Sequence, residues 1–391
     1  MSQLLNERWS ETKEALLEGL TGNRRASMGV CLENTRRSLS ESATAGSTSA
    51  GNIATLNRVI LPVIRRVMPT VIANEIIGVQ PMTGPVGQIH TLRVRYADGV
   101  ASGDTVTAGE EALSPFKIAS AYSGDNVSKA AATSTLEGTP GKRMSIQILK
   151  TPVEAKSRKL SARWTFEAAQ DAQAQQGIDI EAEIMAALAQ EITAEIDQEI
   201  LASLRALAST EETYDQALVS GTATFVGDEH AALAIQINRV SNLIAQRTRR
   251  GAGNWAVVSN QALTILQSAT TSAFARTTEG TFEAPTNTKF VGTLNGAMRI
   301  YVDAYMSDST DANQVLVGYK GTSEADAAAF YCPYIPLMSS GVVLDPATFE
   351  PVVGFLTRYG YVELSNTASS LGNAADYLGR VAITSANVSF K

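Results

Sequence analysis

The residues of this chain whose types could support chemistry are few: two histidines, two cysteines, two Ser-x-x-Lys pairs (Ser10 with Lys13 and Ser114 with Lys117) and one glycine-rich turn. His90 and His230 belong to no HExxH pattern and to no run of candidate ligands. A general base needs an orienting partner and a metal needs a cluster, so each reads as a structural histidine. Cys31 and Cys332 lie near opposite ends of the chain and cannot build a zinc cluster or a disulfide framework; the pattern suits a reducing compartment. Cys332 precedes Pro333 and has no histidine partner in sequence, which makes a buried structural thiol the default. Ser114 and Lys117 enclose Pro115, and no SDN or KTG element accompanies them, so chance explains the match. Arg250-Gly251-Ala252-Gly253 precedes a strand-like run, whereas phosphate loops follow a strand and open a helix; it reads as a helix C-cap and turn. There is no GxSxG and no Walker A sequence. No catalytic, cofactor-binding or metal-ligating residue is therefore expected.

The scaffold is ample for a folded protein. The chain has 391 residues, 44% hydrophobic and 18% charged, with 32 basic and 39 acidic side chains and a formal net charge of −7. Roughly 150 residues per domain allows two or three lobes, or one domain with excursions. An acidic balance argues against a protein that grips nucleic acid, since phosphate neutralisation supplies most of that affinity. The first twenty residues carry charges throughout, unlike a signal peptide, and no apolar run approaches the roughly 20 residues that span a bilayer.

Residues 1–40 read largely as helix, with Leu4, Leu5, Trp9, Leu16, Leu17 and Leu20 spaced for one apolar face. Six acids balance six bases up to Glu41, the pattern of a helix exposed to solvent or paired with a partner helix. Ser42–Asn52 looks like a flexible junction. Leu92, Val94 and Tyr96, and then Met144, Ile146 and Ile148, alternate with polar residues as half-buried strands do. Between them, residues 97–141 hold 26 Ala, Ser, Gly or Thr in 45, too little apolar surface to order by itself. Ile180, Ile184, Leu188, Ile192, Ile196, Ile200 and Leu204 recur every four residues and predict a helix over 179–208, about 45 Å long. Its stripe drifts about 40° per repeat, so it should lie across a sheet or several elements. Residues 228–391 alternate helix and strand: a helix over 229–246, a strand over 255–259, a helix over 261–268, strands over 299–302 and 314–318, and strand-like alternation from Val352 onward.

Charge is segregated along the middle of the chain. Lys142, Arg143, Lys150, Lys156, Arg158, Lys159 and Arg163 face only Glu154. From Trp164 to Leu204 come nine acids, among them Glu181, Glu183 and Glu191, with no Lys or Arg. Two solvated faces are one reading; the sharper one sets Lys156, Arg158 and Lys159 of one subunit against Glu181, Glu183 and Glu191 of another.

Five segments taken together resemble the major capsid protein of T4-type tailed bacteriophages, the myoviruses: Gly78–Tyr96, Glu154–Leu160, Arg247–Ser259, Val317–Leu337 and Asp345–Gly360. The resemblance runs in order from about residue 60 to the C-terminus. It implies an α+β chain with the Hong Kong 97-type fold. Residues 1–60 would be an N-terminal segment and arm, and 61–96 the start of a peripheral domain. Residues 97–150 would be an extended β-hairpin loop, shorter than the family pattern and without its inserted domain. Residues 151–210 would hold the spine helix, 211–345 an axial domain, and 346–391 the C-terminal strands of the peripheral domain. The family is trimmed by a prohead protease after Glu in an Ile/Leu-x-Glu context, which here puts the cut between Glu41 and Ser42, with a weaker match ending at Glu18.

The resemblance implies no enzymatic role and no cofactor. The partners it implies are copies of the chain itself, in hexamers and in pentamers unless a separate vertex protein serves there, together with portal, scaffold, protease and decoration proteins. The shell would enclose DNA without sequence-specific binding, would not engage a membrane, and would be assembled in the host cytoplasm into a virion. Two alternatives stand beside it: an encapsulin-like nanocompartment shell enclosing enzyme cargo, and a hydrolase on a mixed α/β scaffold, disfavoured by the missing motifs.

Overall fold

The computed structural model describes residues 9–10, 13–18, 20, 22–44, 71–100, 106–110, 112, 122–124, 130–138, 140–176, 179–215, 226–248, 250–269, 274–276, 289–303, 305–306, 314–323, 326–345, 347–348, 350–364 and 374–385. Helix α1 (Gly22–Thr44) is followed by the short α2 (Ala73–Ile76) and strands β1 (Gly78–Val79) and β2 (Val86–Tyr96). A turn of helix, α3 (Thr133–Leu136), precedes β3 (Met144–Glu154) and β4 (Lys156–Arg163). Helices α4 (Phe166–Gln176) and α5 (Ile180–Leu207) lead to β5 (Thr210–Asp215), α6 (Val226–Thr248), β6 (Trp255–Val258) and α7 (Asn260–Ser268). The chain continues through β7 (Phe274–Arg276), β8 (Lys289–Leu294), β9 (Met298–Val302) and β10 (Gln314–Gly318). It closes with the long β11 (Ala329–Leu344) and β12 (Pro351–Glu363), then β13 (Leu378–Ser385).

Helix α5 forms where the four-residue repeat puts it. Asp179 caps it, its carboxylate accepting the Glu181 backbone N–H at 3.1 Å. Glu181 and Glu183 sit in the first turn and Arg205 in the last, each favourable to the helix dipole. Leu188, Ile192, Ile196, Ile200 and Leu204 are buried as the repeat requires. The drift of the stripe buries Ala189, Thr193, Asp197 and Leu201 as well, widening the contact face. The helix meets β4 on one side, through Glu195 and Glu199, and the seven-stranded sheet on another, where Gln198 donates to Asp303 just past β9.

Strand pairing divides the chain differently from the expected limits. A four-stranded sheet runs β1-β11-β12-β4, a seven-stranded sheet runs β5-β13-β10-β6-β9-β8-β7, and β2 pairs with β3 alone. Thus β11, expected in the 211–345 unit, belongs with β12 and β4, while β13, expected in the 346–391 unit, completes the seven-stranded sheet. The apolar faces account for it. Tyr331 and Leu337 of β11 join the core built from α1, α2 and α5, whereas Val381 and Ile383 of β13 pack with Leu233, Ile237, Val240 and Ile244 of α6. In the first core the Trp255 indole lies so close to Gly318 that a Cβ there would overlap it.

The described N-terminal residues are largely helical, as expected, a turn over 13–17 preceding α1, whose first residue Gly22 has a φ of +59°. Two expectations are corrected here. Helix α1 does not face only solvent or a partner helix, since Met28, Cys31 and Leu32 lie in the first core. The segment 97–141 orders in part within its own subunit, because Val100, Val106, Ala112 and Tyr122 form a small core with Tyr96 of β2. The Tyr96 and Tyr122 rings lie 4.5 Å apart, and the Tyr122 hydroxyl donates to the Arg143 carbonyl at 2.5 Å. Tyr122, packed on Tyr96 at the end of β2, supplies apolar surface that the count of small residues hid. The junction residues 45–52 lie outside the described residues.

Candidate assembly interface

The β2–β3 hairpin is a two-stranded ribbon in continuous antiparallel register from Val86↔Glu154 to Tyr96↔Met144. At its base one face is covered: Val153 packs with Met82, Phe330 and Cys332. Toward the tip the β3 side chains of the other face are bare, with Met144 52%, Ile146 68% and Ile148 60% exposed, while Tyr96 and Val94 opposite them on β2 pack into a small core. The alternation predicted half-buried strands. On β2 Tyr96 is buried and Val94 packs against the small core, as expected. On β3 the alternation is present but none of the described residues buries Met144, Ile146 or Ile148, and that is the correction. A bare apolar ribbon is unusual for a monomer and marks a surface that another molecule covers. A second apolar patch, Val342, Val343 and Leu344, lies exposed at the end of β11.

The charged residues singled out in the sequence divide by strand geometry. Arg158 shares its face of β4 with Leu160 and Ala162, all half-buried, and turns inward. Its guanidinium binds Glu195 at 2.7 Å, Glu199 at 2.6 Å and the Tyr359 hydroxyl at 2.6 Å. Burial alone would raise the Glu199 carboxyl; hydrogen bonds from Tyr359 and Arg158 outweigh it and hold the group below its usual range. Arg158 is thus engaged within its own subunit, a correction to its expected place between subunits. Lys156 and Lys159 are exposed on opposite faces of β4. On α5, Glu183 and Glu191 are exposed and Glu181 half-exposed. Among the described residues none of these five forms an ion pair within the chain. The backbone of Glu41 and Ser42 lies in the last turn of α1, short of the helix end at Thr44, so the expected cut is inside the helix rather than beyond it.

His230 is buried, its Nδ1 lying 2.5 Å from the Ser268 hydroxyl, and burial lowers its pKa. Both thiols are buried, and burial pushes each up to about 12, so neither is a ready nucleophile. Among the described residues no His, Cys, Asp or Glu group is arranged to hold a metal ion, and no helix is long and apolar enough to cross a membrane.

A bare ribbon, a second apolar patch and unpaired charges of both signs are the surfaces of an assembling structural subunit. Comparison with known proteins gives the particular kind. The family model described as Major capsid protein Gp23 matches residues 53–383, and the chain belongs to that family. The major capsid protein of Vibrio phage KVP40 is 29% identical, the match covering 85% of this chain and 81% of the relative. That of Enterobacteria phage T4 is 29% identical, over 81% of this chain and 76% of the relative. That of Salmonella phage ViI is 30% identical, over 83% and 80%. Among solved structures, a chain from Mycobacterium phage Bobi aligns with a TM-score of 0.48 at 13% identity, over 80% of this chain and 90% of that one. The capsid of Myoviridae phage XM1 aligns at 0.44 and 11%, over 78% and 89%. The protein is accordingly a structural major capsid protein of the T4 type, a component of the virion shell and not an enzyme.

Proposed function

We propose that the subunit assembles into hexameric capsomers of a head enclosing double-stranded DNA, with the β2–β3 hairpin laid on the neighbouring subunit. The bare face of Met144, Ile146 and Ile148 carries this reading. In the same reading the four-stranded sheet with α5 forms the peripheral domain of a Hong Kong 97-type layout and the seven-stranded sheet the axial domain. Vertex, portal, scaffold, protease and decoration proteins are the further partners, and pentamers use either this chain or a separate vertex protein. A net acidic lining gives packaged DNA little to adhere to, so shell strength must come from subunit contacts. The family match runs to capsid proteins, which sets the nanocompartment and hydrolase alternatives aside.

Ile146→Ser with Ile148→Ser tests it. Both side chains are solvent-exposed in the subunit, so its melting should barely change. Assembly, followed by light scattering, should need at least about tenfold more protein, because each buried isoleucine is worth about 1.5–3 kcal/mol at an interface. Wild-type assembly by this variant would overturn the placement of the hairpin.

Charge pairing between subunits is a second element of the reading, with Lys156 and Lys159 opposite a neighbour's Glu181, Glu183 and Glu191. Exposed pairs contribute about 0–1 kcal/mol each, and salt screens them over roughly 8 Å. Lys156→Glu with Lys159→Glu, leaving Arg158 in place, should slow assembly several-fold at low salt and converge on wild type at high salt. Equal rates at every ionic strength would reduce these residues to solvated faces.

A further inference from the structure

Across the β2–β3 ribbon, Tyr96 lies opposite Met144 and Val94 opposite Ile146, so these four side chains share one face. The two strands are treated differently there. On the β2 half, Val100, Val106, Ala112 and Tyr122 pack with Tyr96 and Val94. The edge of β2 that faces away from β3 is taken too. The Tyr96 N–H donates to the Glu110 carbonyl at 2.9 Å, the Gly109 N–H to the Tyr96 carbonyl at 2.8 Å, and the Ala112 N–H to the Val94 carbonyl at 2.8 Å. The β3 half has no such cover: Met144, Ile146 and Ile148 are exposed. Among the described residues, no backbone group from Met144 to Ile148 makes a backbone hydrogen bond outside the ribbon. Two side chains hold the β2 half closed. The Tyr122 ring is buried, its centroid 4.5 Å from that of Tyr96. Its hydroxyl donates to the Arg143 carbonyl at 2.5 Å and accepts the Asp98 N–H at 3.3 Å. The Asp98 carboxylate in turn accepts the Arg143 backbone N–H at 2.8 Å, tying the chain just past β2 to the residue just before β3.

We propose that the hairpin reaches a second copy of the chain as a prefolded wedge presenting β3 alone, with Tyr122 and Asp98 as the positioning residues that keep the β2 half closed. This rests on the hairpin contact proposed above and specifies which strand makes it. The ground is the division of one apolar face. The small core uses the β2 half within the subunit, so the Met144–Ile146–Ile148 strip and the open edge of β3 are what is left for the neighbour. A tip folded before contact places its ordering cost on folding and not on association. Where the tip opens, only the closed fraction is competent, and the apparent affinity falls in proportion to that fraction.

The test compares the unassembled full chain with Tyr122→Ala, which removes the ring and both hydroxyl bonds. In the wild type the amides of Tyr96, Gly109 and Ala112 should be protected from hydrogen exchange, and in the variant they should exchange at least about tenfold faster. Melting of the two main cores should hold, since Tyr122 belongs to neither. Assembly, followed by light scattering, should slow about tenfold as the competent fraction falls. Tyr122→Phe keeps the ring on Tyr96 without the hydroxyl bonds, and should lie between the two in both exchange and rate. Unprotected amides in the wild type, exchange in Tyr122→Ala no faster than wild type, or wild-type assembly by that variant would each overturn the inference. So would exchange and assembly that rank the three proteins differently. Ile146→Ser with Ile148→Ser separates this from failure of the contact itself. If that pair assembles as wild type, the hairpin contact falls and this inference with it. If the pair is impaired while Tyr122→Ala is not, the contact stands and only the role of the prefolded tip falls.

Discussion

Arg205→Ala should destabilise the subunit by about 3–5 kcal/mol, the usual result of removing one partner from a buried ion pair. The pair joins the end of α5 to the seven-stranded sheet. Asp303 follows β9, its side chain is 0% exposed, and the Arg205 guanidinium binds it directly. The same carboxylate accepts from the Gln198 amide at 2.8 Å and the Tyr305 backbone N–H at 3.0 Å. Those two neutral donors cannot balance a buried charge once the arginine is gone. The double variant Arg205→Met with Asp303→Leu removes both charges and should recover most of the loss, since apolar replacements of buried pairs are often near neutral. Urea denaturation of the unassembled subunit measures both. A loss under about 1 kcal/mol for Arg205→Ala would mean that solvent screens the pair as at a surface.

Asp197→Asn should stabilise the subunit at pH 8 and leave it unchanged near pH 4. Asp197 lies one turn before Leu201 on the buried face of α5, where one carboxylate oxygen accepts the Ile72 backbone N–H at 2.9 Å. Its other oxygen has no hydrogen-bond partner among the described residues. Burial raises its pKa to about 7; the hydrogen bond from Ile72 opposes this and the nearby Asp303 adds to it. A folded-state pKa above the unfolded value means that the native state holds the extra proton. The stability it contributes is complete below the unfolded value of 3.8 and is lost as pH rises through about 7. The gap between those two values corresponds to roughly 4 kcal/mol, the expected advantage of the asparagine variant over the ionised acid at pH 8. The asparagine keeps the acceptor for Ile72, and its amide becomes a donor beside Asp303. Parallel stability profiles from pH 4 to 8 would rule out a buried titration at this position.

How much of this was legible in the sequence depended on whether the determining contact was local. The run from Ile180 to Leu204 gave α5 nearly to the residue, because a four-residue repeat and an Asp cap act within one helix. The strands over 299–302 and 314–318 and the helices around them were legible for the same reason. Alternation at Met144, Ile146 and Ile148 told which side chains share a face, but not whether anything covers it, since covering is a non-local fact. The exchange of β11 and β13 between sheets was hidden likewise, because strand order is settled by partners distant in sequence. Arg158 could have been separated from Lys159 by the two-residue period of β4, which puts it with Leu160 and Ala162. Asn295-Gly296 carried an overlooked signal: both take positive φ, +52° and +69°, in the turn between β8 and β9.

The continuity of β3 and β4 has a mechanical consequence. Only Ala155 separates the hairpin from the strand that pairs with β12 at eight successive positions, Lys156↔Tyr359 to Arg163↔Val352. A tug on the hairpin tip therefore travels along β4 and loads that ladder lengthwise. Hydrogen bonds pulled along the strand axis share the load and must fail together, whereas bonds pulled sideways open one at a time like a zip. Arg158, gripping Glu195 and Glu199, ties the same strand to α5 midway along its length. Tension in the shell wall would reach the interior of each subunit in its strongest direction.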